Sequence, residues 1–460
     1  MPVISGDMPG SVTGFQRLGY LILVLYLFLI YSRIFDVKFS NLHIPGISYR
    51  LILVLVLLSR AFIPALRSSI GKSLAFMTVW FILAIPFSVW KRGSIQLLFD
   101  AWFPNFVIFL ATAGLIINFD QCRRAIHTVG YAFFVLTLIA VFWGTTEGTG
   151  RLFLPNGKFS NPNEMAQALL LGMPLWWMML ETTGSIVKKA FSAAVLFLML
   201  IMISKCGSRG AMISFIAVVL VVFLRASIMS KMKLIIGGFV ILAILVALMP
   251  GRLLRRYTTF SEDQDEGTYV VGDDYDPYLE ASAIASVRSR RELLKKSVKY
   301  TFQHPLFGVG PGMFVVAEDA EAHANGLKRG SWQGTHNSYT QVSSEVGIPA
   351  AVAYICAIVF SLKRTSKLYR RCKDDPRLKT LGSCAVALNY CVIVYAVSVF
   401  FDYIAYTSML SVFAGLSAAV DATSEAEITR LTSGPSTPEP IPYTQFRPRW
   451  RKTAGVPQEG

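Results

Sequence analysis

Charged residues are scarce in this sequence: they make up 16% of its 460 residues, whereas 53% are apolar. A soluble chain of this length would divide into two or more domains and carry more charge. The six cysteines include no Cys-x-x-Cys pair, so the sequence gives no indication of a disulfide framework or a metal site. The scarcity of charge therefore argues against a soluble protein.

The apolar residues instead come in blocks of roughly 15–22, about the length that crosses a hydrocarbon core of ~30 Å. Because backbone groups in lipid must be hydrogen-bonded within the segment, these blocks should be α-helices. We therefore predict an all-α, polytopic membrane protein with about 12 transmembrane helices within residues 1–420. No small-residue cleavage site follows the first block, so we expect it to be a retained anchor. The predicted spans are 18–32, 47–66, 72–90, 97–117, 124–143, 164–180, 190–204, 210–224, 231–250, 340–362, 380–400 and 402–420.

The net charge of +16 could suggest a nucleic-acid partner, but the basic residues follow the predicted spans. Their densest cluster runs from Lys363 to Lys379, after the tenth span, and is typical of a cytoplasmic loop. Counting spans outward from it places both termini in the cytoplasm. Residues 421–460 are polar and rich in proline, which predicts a disordered cytoplasmic tail. We expect contacts with membrane lipids and none with nucleic acid.

The same count places residues 251–339 in one large extracytoplasmic loop, too long for a passive connection. Its acidic part, 261–280, gives no calcium-loop frame around Gly267, so we expect a mobile, solvated flap. The later stretch from His304 to Gly312 contains two prolines and three glycines. Such a turn allows close packing of backbone or a cradle for a phosphate, and the sequence leaves both open.

A helical pattern runs from about Ser282 to Gln303 within this loop. Arg290 lies four residues before Leu294, so the pattern puts its guanidinium on an apolar face. An unpaired charge there is costly, and a carboxylate of the protein or a phosphate of a ligand should be its partner. A surface helix lying on anionic headgroups is the alternative. The apolar stripe consists of Val287, Leu294, Val298 and Phe302.

Two further sites lie at predicted membrane entrances. His336 and Asn337 precede the tenth span. The imidazole could take a proton from a hydroxyl, or it could simply neighbour a helix cap formed by Asn337 or Ser338. Arg209 stands at the outer end of the eighth span, where it either snorkels or binds a phosphate with its forked guanidinium. Asn163 is predicted to be the N-cap of the sixth span.

Four sequence blocks follow one another along the chain: Gly157 to Glu164, Gly207 to Gly210, His304 to Phe314, and His336-Asn337 followed by Glu345 to Gly347. In this order and with this topology, they resemble the O-antigen ligase family. This membrane superfamily also includes O-antigen polymerases and some protein O-oligosaccharyltransferases. The resemblance covers about 155–362 and implies a GT-C-like glycosyltransferase of the bacterial inner membrane that needs no metal or other cofactor.

The resemblance implies an undecaprenyl-diphosphate-linked glycan as donor, and lipid A-core or another glycan as acceptor. At matching positions, Arg209 and Arg290 would bind the diphosphate and His336 would act on the acceptor hydroxyl. Arg288 or Arg291 could replace Arg290, because the family commonly has a Trp where Leu294 stands here. Asn337 and Asn163 are secondary candidates.

The chemistry of such a donor agrees with these residue types. Diphosphate is already a good leaving group, so arginines at a water-poor interface would stabilise its departing charge, and direct displacement would invert the anomeric carbon. A polysaccharide polymerase with the same donor is the alternative. A transporter or flippase is a third hypothesis, but the few charges in the spans lie toward their ends, which favours chemistry at the membrane surface.

Overall fold

The computed structural model describes residues 14–34, 44–146, 150–155, 158–248 and 277–433. The described chain is helical almost throughout, with one short antiparallel pair between β1 (Thr145–Thr146) and β2 (Leu152–Phe153). The α-helices are α1 (Gly14–Ser32), α2 (Ile44–Leu58), α3 (Phe62–Arg67), α4 (Ser69–Ala84), α5 (Lys91–Leu97), α6 (Phe103–Gly114), α7 (Phe119–Trp143), α8 (Pro162–Thr182), α9 (Ile186–Lys205), α10 (Arg209–Arg225), α11 (Ile228–Leu248), α12 (Pro277–Gln303), α13 (Phe314–Ala324), α14 (Ser338–Val346), α15 (Ile348–Cys372), α16 (Lys379–Ser398) and α17 (Ser408–Thr432).

Within the described residues, seven helical segments are long and apolar enough to cross a membrane. The prediction of an all-α, polytopic membrane protein is therefore confirmed, while the number of twelve spans stays a prediction. The seven segments are Gly14–Ser32, Ser69–Phe87, Lys91–Gly114, Phe119–Trp143, Ile186–Lys205, Ile348–Cys372 and Pro376–Ser398.

The helix α16 forms the centre of the bundle. It packs against α8 and α10 on one side and against α15 and α17 on the other. Its apolar and small side chains, among them Leu388, Cys391 and Val392, are fully buried. The residues that follow α16 consequently emerge in the middle of one end of the bundle, surrounded by the ends of its neighbours.

The predicted tenth span, 340–362, is wrong as a single helix, because the chain breaks at Gly347 between α14 and α15. Gly347 has φ +95°, which favours glycine over any residue with a side chain. A Cβ at this position would lie 2.0 Å from the carbonyl oxygen of Leu306. The break thus exists because the 304–312 turn packs directly against it.

The last predicted span, 402–420, is displaced toward the C-terminus. Residues 399–407 form a connection that we call the 399–407 loop, and α17 begins only at Ser408. The helix then continues to Thr432, so residues 421–432 belong to it and not to a disordered tail. Buried Thr423 and an ion pair of 2.7 Å between Arg364 and Asp421 hold this part of α17 on the bundle. The rest of the predicted tail, from 434, and the acidic residues 261–276 lie outside the described residues.

Candidate active site

The face of α12 that packs on the protein differs from the predicted stripe. Leu293 and Tyr300 are buried, whereas Phe302 of the stripe is 74% exposed. The stripe residues Leu294 and Val298 are also exposed, each by 39%, so this stripe does not form the packed face of the helix. The reason is tertiary: Leu293 and Tyr300 meet an apolar cluster with Val309, Met313 and Phe314, which the helical period alone could not locate.

Arg290 nevertheless turns toward the protein, because it lies three residues before buried Leu293 and seven before buried Ser297. Its guanidinium is half-buried, while Arg288 and Arg291 are exposed. Burial lowers the pKa of Arg290, and the negative charge of Asp402 opposes this shift. Asp402 is therefore the carboxylate near Arg290, and the three neighbouring arginines of α12 have different surroundings.

His336 occupies a strained position immediately before α14. Its φ of +49° lies in the left-handed region, which residues with a side chain adopt rarely. Asn337 follows as the N-cap of α14, and its side chain accepts a hydrogen bond of 3.1 Å from the amide of Thr340. The predicted cap is confirmed. Strain of this kind is typical of functional sites, where the surrounding structure holds the residue in place.

The 399–407 loop provides those surroundings. The hydroxyl of Ser338 donates to the carbonyl of Asp402 at 2.8 Å and accepts from the amide of Ile404 at 2.9 Å. The ring of Tyr403 meets the His336 ring edge-on, with 5.4 Å between centroids. Gly334 packs so closely on Tyr403 that an added Cβ would lie 2.7 Å from its ring. The loop therefore contacts the His336 ring through Tyr403 and holds the neighbouring Ser338 by two hydrogen bonds.

Asp402 is the least solvated charge at this site, with 1% of its surface exposed. One carboxylate oxygen accepts a hydrogen bond of 2.9 Å from the amide of Tyr403. The other, Oδ2, is buried without a hydrogen-bond partner in the described part of the chain. Burial raises the pKa of Asp402 to about 6, against the opposing effects of the Tyr403 amide and of Arg290. Because only one of its oxygens accepts a hydrogen bond in the described residues, the Asp402 carboxylate affects its neighbours mainly through its negative charge.

The same environment acts on the imidazole. Burial, and to a smaller extent the positive charge of Arg290, lowers the pKa of His336 to about 4. The imidazole is thus neutral at pH 7 and able to accept a proton. Arg290 therefore interacts electrostatically with both His336 and Asp402, and the three residues come from distant parts of the sequence. The sequence pattern gave no signal for Asp402 beyond its place at the end of a predicted span.

Arg209 is the first residue of α10, where Ser208 caps the helix by accepting from the amide of Ala211 at 3.3 Å. The next residue, Gly210, packs against Phe401 of the 399–407 loop; an added Cβ would lie 2.7 Å from the Phe401 side chain. Arg209 therefore stands beside the loop that carries Asp402 and Tyr403.

Arg151 is a residue that the sequence analysis did not select. It is only 8% exposed, and it donates from Nε to the carbonyl of Cys206 at 2.9 Å and from Nη2 to Asn163 Oδ1 at 2.8 Å. This arrangement corrects the predicted role of Asn163. The N-cap of α8 is Asn161, which accepts from the Asn163 amide at 2.9 Å, because the Asn163 side chain is engaged by Arg151. Arg151 thus ties the start of α8 to the turn that leads into Arg209.

The glycine-rich turn packs on protein and offers no phosphate cradle at its bonded amides. The amide of Val309 donates to the carbonyl of Ser344 at 2.8 Å, and that of Gly310 to the carbonyl of Glu345 at 2.9 Å. The buried Glu345 carboxylate accepts from the amide of Gly312 at 3.1 Å. Burial raises the pKa of Glu345 to about 7, and the hydrogen bond from the Gly312 amide to the carboxylate opposes the shift. The turn is therefore a packing element that holds α12 against α14.

Within the described residues, no three His, Cys, Asp or Glu side chains are grouped as they would be around a metal ion. The arrangement instead combines two arginines, a neutral imidazole and a buried carboxylate at one end of the bundle. Such a set can bind an anionic group and accept a proton beside it.

No curated protein matches the chain. A family model does match part of the chain. The matched segment contains three of the four sequence blocks, together with Arg209, Arg290 and His336, whereas the block Gly157 to Glu164 lies before it. Residues 194–355 match the model described as O-antigen ligase, so the resemblance of this chain to the O-antigen ligase family is confirmed over that segment.

Proposed function

We propose that the protein is a glycosyltransferase of the bacterial inner membrane. It moves a glycan from an undecaprenyl-diphosphate carrier to an acceptor hydroxyl on the extracytoplasmic face. The observation that carries this proposal is the convergence of Arg290 on α12, His336 just before α14 and Asp402 in the loop after α16. The family match supports the same class of enzyme.

The arginines act on the leaving group. As the bond between the anomeric carbon and the phosphate oxygen breaks, the electron pair stays on the diphosphate, whose negative charge increases. Arg290, half-buried and held beside Asp402, and Arg209, at the start of α10, stabilise that charge electrostatically. Arg288 and Arg291 are more exposed, so Arg290 is the better candidate of the three.

His336 acts on the acceptor. The acceptor oxygen attacks the anomeric carbon from the side opposite the diphosphate, and His336 takes the hydroxyl proton, so the configuration inverts. In the ligand-free protein a pKa of about 4 makes His336 a weak base, partly because Arg290 is positive. A diphosphate beside Arg290 offsets that charge and raises the pKa of His336. Donor binding therefore prepares the histidine to accept the proton.

Asp402 holds this arrangement together. Its negative charge opposes the lowering of the Arg290 pKa by burial and attracts the half-buried guanidinium. Its neighbour Tyr403 packs against the His336 ring. We assign Asp402 a positioning role, because its carboxylate is buried within the protein.

The test is the surface glycan profile of a strain that lacks the gene, complemented with single variants. Loss of a general base typically reduces rates by about 10²–10⁴, so His336→Ala should fail to restore transfer. Arg209→Ala and Arg290→Ala should fail as well, whereas Arg291→Ala should restore it. His304→Ala is the matched control, since it removes an exposed histidine from the end of α12.

Long glycan that accumulates on the carrier lipid and is absent from the final acceptor indicates a ligase. Single repeat units on the acceptor indicate a polymerase, which uses the same donor chemistry. Restoration of the profile by His336→Ala would refute the role of this histidine as the base. A sugar covalently bound to the protein would refute direct displacement.

A further inference from the structure

The segment between α13 and α14 carries unusual backbone strain. Trp332 has φ +53° and His336 has φ +49°, two of four left-handed positions among the described residues that are not glycine. For a side chain as bulky as indole this conformation is a clear outlier. The loop that presents His336 thus contains a second strained residue, and the proposed reaction gives no role to it.

Hydrogen bonds on both sides of Trp332 hold it in this conformation. The amide and hydroxyl of Ser331 donate to Oε2 of Glu318 at 2.8 and 3.1 Å. The hydroxyl of Ser289 on α12 donates to Gln333 Oε1 at 3.0 Å. Glu318 itself is buried and paired with Lys296 at 2.7 Å. The backbone is therefore tied to α12 and α13, while the indole between the two ties is 59% exposed.

A groove of about 310 Å³ lies beside these ties, in the size range of small-molecule sites. We call it the α12 groove. It is bordered by hydroxyl and charged side chains and begins on α12 just before Arg290. Trp332 stands at its edge, since Ser331 borders the groove and Gln333 is bonded to Ser289, which borders it too. The polar residues around it are Arg288, Ser289, Glu292, Lys296, Glu318 and Ser331.

We propose that the α12 groove binds a pyranose ring of the glycan, with Trp332 as the surface on which that ring stacks. A pyranose has a face of C–H groups that packs on an indole, and hydroxyls that bond to serine, carboxylate and ammonium groups. This inference rests on the proposed function and extends it with a sugar subsite close to Arg290 and His336.

The surroundings of Trp332 favour a sugar over a lipid contact. Tryptophans that anchor proteins at a membrane interface accompany an apolar surface that enters the lipid. The residues next to Trp332 are instead Lys328, Arg329, Gly330, Ser331 and Gln333, which are polar, charged or lack a side chain. A rigidly held, exposed aromatic ring in polar surroundings is suited to a ligand that is itself partly polar.

The test compares Trp332→Asn with Trp332→Tyr in the purified full-length protein, reconstituted in lipid vesicles. Asparagine adopts the left-handed conformation more easily and removes the aromatic ring, whereas tyrosine keeps a ring. We expect Trp332→Asn to raise KM about tenfold for one glycan substrate with kcat unchanged. Trp332→Tyr should keep that KM near the wild-type value. The substrate whose KM rises, donor or acceptor, identifies the source of the bound sugar. Thermal stability should stay the same or rise.

Unchanged KM values for both substrates in Trp332→Asn would overturn the subsite, and so would a loss of activity matched by a fall in thermal stability. Phe302→Asn is the matched control, because it also removes an exposed aromatic ring, in this case one on α12. Both KM values of this variant should stay at wild-type level. The two proposals can fail separately. Wild-type transfer by His336→Ala contradicts the proposed reaction, whereas unchanged KM values in Trp332→Asn beside an inactive His336→Ala remove the subsite alone.

Discussion

Replacing Asp402 by asparagine should make the protein more stable and less active. The pKa of Asp402 rises from 3.8 in the unfolded chain to about 6 in the folded protein, chiefly through burial. Each pKa unit corresponds to about 1.4 kcal/mol, so at pH 7 the charged carboxylate destabilises the fold by about 3 kcal/mol. Asparagine keeps the Oδ1 acceptor for the Tyr403 amide and removes the charge.

The net gain is smaller, because the asparagine side chain brings an NH₂ group to the place of Oδ2, which has no hydrogen-bond partner in the described residues. An unsatisfied donor costs about 1 kcal/mol, so a gain of about 2 kcal/mol in the free energy of unfolding is expected at pH 7. Transfer should fall, because Arg290 loses the nearby negative charge that attracts its half-buried guanidinium.

The dependence on pH is the decisive part of the assay. A carboxyl group whose folded pKa is raised destabilises the fold above that pKa, and the penalty disappears as pH falls from about 6 toward 3.8. Unfolding of wild type and Asp402→Asn in detergent should therefore differ most at pH 7 to 8 and converge near pH 4. A variant that is less stable at pH 7, or a difference that is constant over this range, would refute the reasoning.

Two more predictions concern His336 and the break before α15. The acid-side fall of the kcat/KM profile reports the free enzyme and should have its midpoint near pH 4. The fall of the kcat profile should lie at higher pH, because bound diphosphate offsets the positive charge of Arg290 and raises the pKa of His336. Coincident midpoints in the two profiles would contradict this donor-linked shift. Gly347→Ala should destabilise the protein by at least about 2 kcal/mol, since it combines positive φ with a Cβ 2.0 Å from a carbonyl oxygen. Gly184→Ala, at a position with no neighbouring atom within 4 Å, is its control in the same thermal unfolding assay.

The sequence could predict what depends on neighbouring residues. Long apolar blocks identified a helical membrane protein, because an α-helix satisfies all its backbone hydrogen bonds within a single segment, as lipid requires. The helix predicted over 282–303 lies within α12, and Asn337 caps α14 as expected. Cap geometry and helical period extend over a few residues, and for that reason they can be recognised in the sequence.

The candidate site depended on contacts that no local pattern encodes. Helical spacing suggested that Arg290 needs a carboxylate or a phosphate, but it could not indicate Asp402, more than a hundred residues later. The packed face of α12 differs from its most regular apolar stripe, because the 304–314 segment covers Leu293 and Tyr300. The roles of Arg151 and Asn163 likewise follow from their contact with each other.

The sequence by itself therefore determined the class of the protein, the family it resembles and most of its helices. Only the tertiary structure decided which charge meets Arg290, why His336 is neutral at pH 7 and where the chain must break before α15. The physical reason is that burial and electrostatic coupling depend on the distance between groups in space. In this protein, those distances are set by how the middle of α12, the start of α14 and the loop after α16 pack together, although they lie far apart along the chain.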